Sequence, residues 1–197
     1  MRHSVKRLIV LLLALVLAVS CAYANPVRVL EEEYDFRKDT KDVRGDGSYM
    51  QVGSLPVQVW VPKNTFKVVD IPADEQFKDA VLMIACDGAA LKKANPRMEI
   101  PEKIDLKLVF DFIETDQDKD AYLAEHPPVY ADECDSGVYN GIPALIYLTY
   151  PDEVKTALTT AVYFIDGGIL KITYIIANCV ADSYARLMVT SVEPVKE

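Results

Sequence analysis

Three acidic side chains within four residues, Asp132, Glu133 and Asp135, are the group in this chain whose type and spacing best suit chemistry. Carboxylates packed this closely in a loop can bend around a hard cation such as Ca²⁺. With Asp111 and Glu114 they could also supply the acid and base of a hydrolase. The chain's second half is also rich in tyrosine, and Tyr130 and Tyr139 flank the acids. A groove lined by such amphipathic rings suits a peptide or a glycan. Tyr130, Asp132, Glu133, Asp135 and Tyr139 are therefore the candidate ligand-binding residues. A solvated acidic loop accounts for the same pattern and remains the simpler reading.

Other arrangements are weaker. Asp116, Asp118 and Asp120 alternate like the start of a calcium loop, but Ala121 stands where such a loop needs Gly, and Pro127 where it needs Glu. A charged helix N-terminus explains these acids better. Beyond the N-terminal leader the chain holds one histidine, His126. Multi-His zinc sites and H-E-x-x-H proteases need at least two imidazoles and are excluded. His126 precedes two prolines at an expected helix end, a position for a helix cap. No phosphate loop, metal-binding C-x-x-C or basic-aromatic patch is present. The expectation is no catalytic residue, no metal and no cofactor. Arg44-Gly45-Asp46 matches an adhesive tripeptide, although its glycine is explained as a turn former.

The first residues read as an export signal. Arg2, Lys6 and Arg7 form a basic start, Leu8 to Val19 an apolar run, and Ala22-Tyr23-Ala24 a small-x-small cleavage site. The apolar run is too short for a transmembrane span, which needs about 20 residues. Residues 1–24 are thus expected to be a secretion signal, giving a periplasmic, cell-surface or extracellular protein. Ala18-Val19-Ser20-Cys21 also approximates a lipobox, so acylation of Cys21 would be the one route to a membrane. Removing the leader lowers Lys+Arg from 21 to 18 against 30 Asp+Glu, a net charge of −12. That charge opposes binding to nucleic acid.

Cys86, Cys134 and Cys179 remain after the leader, and an odd count allows one bridge with a leftover thiol, or none. Cys86 closes the apolar run Val81–Ala85 and reads as a buried thiol. If a bridge forms, the expected pair is Cys134 with Cys179, since both flank turn-like sequence.

The elements that must position these residues can be read from periodicity. Residues 25–48 alternate charges with few apolar positions and are expected to be a mobile arm. A single domain follows over residues 49–197. Within it Val57 to Val61 is a strand, Phe66 to Ile71 its return, Val81 to Cys86 a buried strand, and Lys103 to Glu114 a long strand. Thr115 or Asp116 should cap a helix reaching Glu125. Val129 to Gly137 reads as an acidic, irregular passage, Asn140-Gly141 as a turn, and Pro143 to Tyr150 as a strand. Thr159–Ile165 and Ile169–Ala177 alternate around Asp166-Gly167-Gly168, a hairpin signal. An amphipathic helix carrying Val180, Tyr184, Leu187 and Met188 follows. The fold class is α+β, an antiparallel β-sheet covered by helices, with a C-terminal hairpin followed by a helix.

Several of these stretches together resemble the PsbP-like fold group. They are Val57–Val61 running into Pro62-Lys63-Asn64-Thr65-Phe66, the step Asn140-Gly141-Ile142-Pro143-Ala144, the glycine hairpin, and the helix closing near Ser191-Val192. The resemblance covers about residues 50–193 and carries over no functional residue. It implies a central antiparallel sheet between helices, and a binding or assembly role rather than catalysis. The expectation is an exported, monomeric, non-enzymatic binding or assembly-accessory module of the bacterial cell envelope with a protein, peptide or glycan partner. The alternative is a hydrolase, or a Ca-dependent binding protein, using the Asp132–Asp135 stretch.

Overall fold

The computed structural model describes residues 27–101, 103–127, 133–149, 158–175 and 180–196. The first half of the chain forms β1 (Arg28–Val29), α1 (Phe36–Asp39), β2 (Gly47–Gln51), β3 (Val57–Pro62), β4 (Phe66–Val68), β5 (Ala80–Cys86) and α2 (Gly88–Ala94). The second half forms β6 (Lys107–Glu114), α3 (Lys119–Glu125), β7 (Glu133–Tyr139), β8 (Ile142–Thr149), β9 (Leu158–Ile165), β10 (Gly168–Ile175), α4 (Val180–Val189) and β11 (Glu193–Pro194).

Strand pairing follows the turns. Asn140 and Gly141, with φ of 51° and 86°, join β7 to β8. Two successive positive φ values match the right-handed twist of a tight hairpin, and Asn and Gly hold them at least cost. Gly167, with φ of 83°, turns β9 into β10, and Leu170 lies opposite Tyr163. The larger sheet has the order β1-β7-β8-β9-β10-β6-β5-β4, and β11-β3-β2 form a smaller one. All pairs are antiparallel except β1 with β7. The α+β class, with its antiparallel sheet and terminal hairpin and helix, is therefore what forms.

Helix α4 fills the space between the two sheets. Ala181, Ala185, Met188 and Val189 are fully buried, a spacing that sets one stripe of the helix inward. They meet Phe110, Leu170, Ile172 and Tyr163 of the large sheet and Val57, Val59 and Val61 of the small one in a single apolar cluster. Burying the Val, Leu, Ile, Phe and Met side chains among them stabilises by about 1.5–3 kcal/mol each. The buried Tyr163 hydroxyl donates to Val189 O at 2.6 Å, and Ser191 Oγ accepts from Trp60 N at 2.9 Å. The reverse face of the large sheet is partly covered. Leu145, Val162 and Ile169 are buried there beneath Tyr122 and Leu123 of α3.

Three expectations are corrected. Residues 27–48 do not form a free arm: β1 pairs with β7, and Phe36 is fully buried against Trp60 at 5.7 Å between ring centroids. Phe36, with Leu30 and Tyr34 packed beside the same core, anchors a segment whose composition is otherwise that of a solvated tail. The stretch 133–137, expected to be irregular, belongs to β7, because cross-strand pairing with β8 supplies the order that its acidic composition lacks. The cap of α3 is Asp118, whose carboxylate accepts from Ala121 N, rather than Thr115 or Asp116.

Candidate functional site

Strand alternation sorts the acidic stretch onto two faces. Glu133 and Asp135 project toward α4, together with Gly137 and Tyr139, while Cys134 and Ser136 face α3. Facing Glu133 and Asp135 across the ladder are Leu148 and Ile146 of β8. Arg186 and Val189 of α4, with Thr190 just past its end, close the other side. Together these side chains bound a depression of about 170 Å³ with an apolar floor of Ile146, Leu148 and Val189.

The polar rim has a defined charge arrangement. The guanidinium of Arg28 donates to both oxygens of Asp135, at 2.7 Å through Nε and 2.5 Å through Nη2. That bidentate pair neutralises Asp135 and ties β1 to the rim. It is solvent-exposed on the arginine side, so it orients more than it stabilises. Leu30, two residues later, packs over Gly137, where an added Cβ would lie 2.8 Å from Leu30 Cδ1. Glu133 and Arg186 are exposed, and among the described residues neither is joined to an ion-pair partner. Tyr139 is buried with its ring 5.3 Å from that of Tyr34. Burial, aided by the Asp135 charge, pushes its hydroxyl up to about 12, so it stays protonated at neutral pH.

Of the five expected binding residues, Glu133, Asp135 and Tyr139 therefore converge on one depression. Tyr130 and Asp132 lie outside the described residues, as do the leader 1–24, Cys21 and Cys179. The reading of a loop wrapped around a cation is not met at Asp135, whose two oxygens both accept from Arg28. Arg28, Ile146, Leu148, Arg186, Val189 and Thr190 were not singled out from sequence. The spacing of Arg186 and Val189 on one helix face was the available signal, but nothing local says which strand that face meets.

Cys134 is a free thiol, 3% exposed, rather than one end of the expected bridge. Burial and the Asp135 charge push that thiol up to about 11, away from the thiolate that a nucleophile needs. His126 caps the C-terminal end of α3 and stacks on Tyr122 at 4.5 Å. Arg44 folds back over the Phe36 ring, 5.7 Å from its centroid, so the Arg44-Gly45-Asp46 turn does not extend its arginine.

A second network joins the chain ends. Glu193, 5% exposed, accepts from Arg37 at 2.5 Å and 3.0 Å and from Gln58 at 2.8 Å. Burial alone would raise this carboxyl, but the bonds from Arg37 and Gln58 and the arginine charge outweigh it and hold it below its ordinary value. Asn140 acts similarly. Its Oδ1 accepts from Phe36 N at 2.7 Å, and its Nδ2 donates to Thr190 O and Val192 O, each at 2.9 Å. These two side chains hold α1, the β7–β8 turn and the end of α4 in one frame behind the depression.

No helix among the described residues is long and apolar enough to cross a membrane. No protein-family model and no curated protein matches this chain. Among solved structures, the chain is similar to the solution structure of cyanobacterial PsbP (CyanoP) from Synechocystis sp. PCC 6803, at 9% identity and a TM-score of 0.49, covering 76% of this chain and 92% of that one. It is also similar to a crystal structure from Bacteroides thetaiotaomicron VPI-5482, at 11% identity and a TM-score of 0.44, covering 79% of this chain and 50% of that one, about half its length. Both likenesses are weak and concern the fold alone.

Proposed function

We propose that this protein is an exported, non-catalytic binding module of the bacterial cell envelope, and that its ligand or its partner's side chain seats in the depression between β7, β8 and α4. The observation that carries the reading is the convergence of Glu133, Asp135, Tyr139, Arg186 and Thr190 around a floor of Ile146, Leu148 and Val189. An apolar floor with a few fixed polar groups at its edge is the usual build of a small binding site. A non-catalytic role is supported by the commitment of Asp135 to Arg28 and by the protonated state of the Cys134 thiol. Export rests on the leader, from Arg2 to Ala24.

The test is ¹⁵N–¹H spectroscopy of the purified protein titrated separately with free amino acids, dipeptides, glucose and N-acetylglucosamine. The expected result is a saturable shift confined to amides of residues 133–148 and 186–190 with at least one probe. Shifts spread evenly over the surface, or none with any probe, would overturn the reading. Intact-mass analysis of protein recovered from its host reports the leader: a mass starting at Asn25 supports simple cleavage, and one starting at an acylated Cys21 supports the lipidated form. An intact Met1 would refute export.

A further inference from the structure

The charges around the depression are of both signs, and they lie on opposite walls. On the strand side Asp135 is neutralised by Arg28 in a two-bond pair, which leaves Glu133, among the described residues, as the anion of that wall without an ion-pair partner. On the helix side the uncompensated charge is Arg186. A simple anion entering here would meet Glu133, and a simple cation would meet Arg186. A molecule carrying both charges as substituents of one carbon satisfies both walls, and charge complementarity of this kind selects ligands more than it raises affinity.

Size and polarity narrow the class further. A cavity of about 150 Å³ lined by aliphatic side chains accommodates a body the size of benzene, and the present depression is about 170 Å³. Its floor of Ile146, Leu148 and Val189 offers no side-chain hydrogen-bonding group. A hydroxyl-rich ring would leave most of its polar groups unpaired there.

Resting on the binding reading given above, we propose that the ligand is a free aliphatic α-amino acid. Its carboxylate is held by Arg186, its ammonium by Glu133, and its side chain lies on Ile146, Leu148 and Val189.

Calorimetric titration of the purified protein with L-leucine, N-acetyl-leucine and leucinamide tests this directly, because the two derivatives each lack one charge. L-leucine is expected to bind at least about tenfold more tightly than either, the worth of one charge-assisted hydrogen bond. Arg186→Gln should weaken leucine by about tenfold and leave leucinamide within about twofold. Glu133→Gln should weaken leucine similarly and leave N-acetyl-leucine unchanged. Both residues are exposed, so a circular-dichroism melt matching wild type shows that each variant folds. Equal binding of the three compounds, or equal effects of each variant on all three, would overturn the assignment while leaving a binding cleft in place. The same holds if leucine fails but a dipeptide or a sugar shifts residues 133–148 and 186–190. If no probe moves those amides, the cleft itself falls.

Discussion

Asn140 is the residue where a single side chain does most to hold the frame behind the cleft, so its replacement should have an outsized effect. Its amide makes three hydrogen bonds, to Phe36 N, Thr190 O and Val192 O, while its backbone sits at φ of 51°. Asn140→Ala removes all three bonds, at about 1 kcal/mol each. It also asks alanine to hold a left-handed conformation that costs roughly 1 kcal/mol more than it costs asparagine. The expected loss is therefore about 4 kcal/mol, or a fall in Tm of about 8–16 °C for a chain of this size. Asn140→Gly loses the same bonds but adopts the positive φ freely, so its loss should be about 3 kcal/mol. The assay is urea unfolding followed by the fluorescence of Trp60, the chain's one tryptophan, which is 3% exposed and packed on Phe36. An alanine variant within about 1 kcal/mol of wild type would refute the claim that these bonds are formed and matter. A glycine variant less stable than the alanine one would refute the backbone part of the argument.

Other outcomes follow from the same geometry. The carboxyl of Glu193 is held below its ordinary value of 4.5, so its stabilisation is present above that pH and is lost as pH falls through the folded-state value. Glu193→Gln should therefore cost about 1–3 kcal/mol at neutral pH. Its urea midpoint should approach that of wild type as the pH is taken down to about 3; parallel curves would count against the Arg37–Glu193 pair. Cys134, raised to about 11 by burial and Asp135, should resist iodoacetamide at neutral pH in the folded protein and react once urea unfolds it; rapid labelling in the native state, read by peptide mass, would contradict its burial. Gly168→Ala should destabilise more than Gly167→Ala, because a Cβ at Gly168 meets the backbone oxygen of Ile113 whereas one at Gly167 meets open space. The latter should cost only about 1 kcal/mol of backbone strain, measured by thermal melts.

Much of the architecture was legible from local patterns. Period-two runs around Gly167 and around Asn140-Gly141, the helix from Val180 to Val189, and the buried run ending at Cys86 all combine side-chain periodicity with turn residues, and both are local properties of the chain. Glu133, Asp135 and Tyr139 were singled out as acids and a tyrosine close together in sequence, but the strand alternation that sets them on one face was not, because their composition reads as a loop. Tertiary packing decided what composition could not show. Charged residues 27–48 are held down by Phe36 and by Asn140, a residue about a hundred positions away. The irregular-looking stretch from Glu133 is ordered by its pairing with β8. Sequence alone supplied three residues of the strand wall, and pairing of β7 with β8 made them a wall. The opposite wall, with Arg186 and Val189, came into place only when α4 packed between two sheets, because the burial that sets a helix against its strands acts between residues distant in the chain.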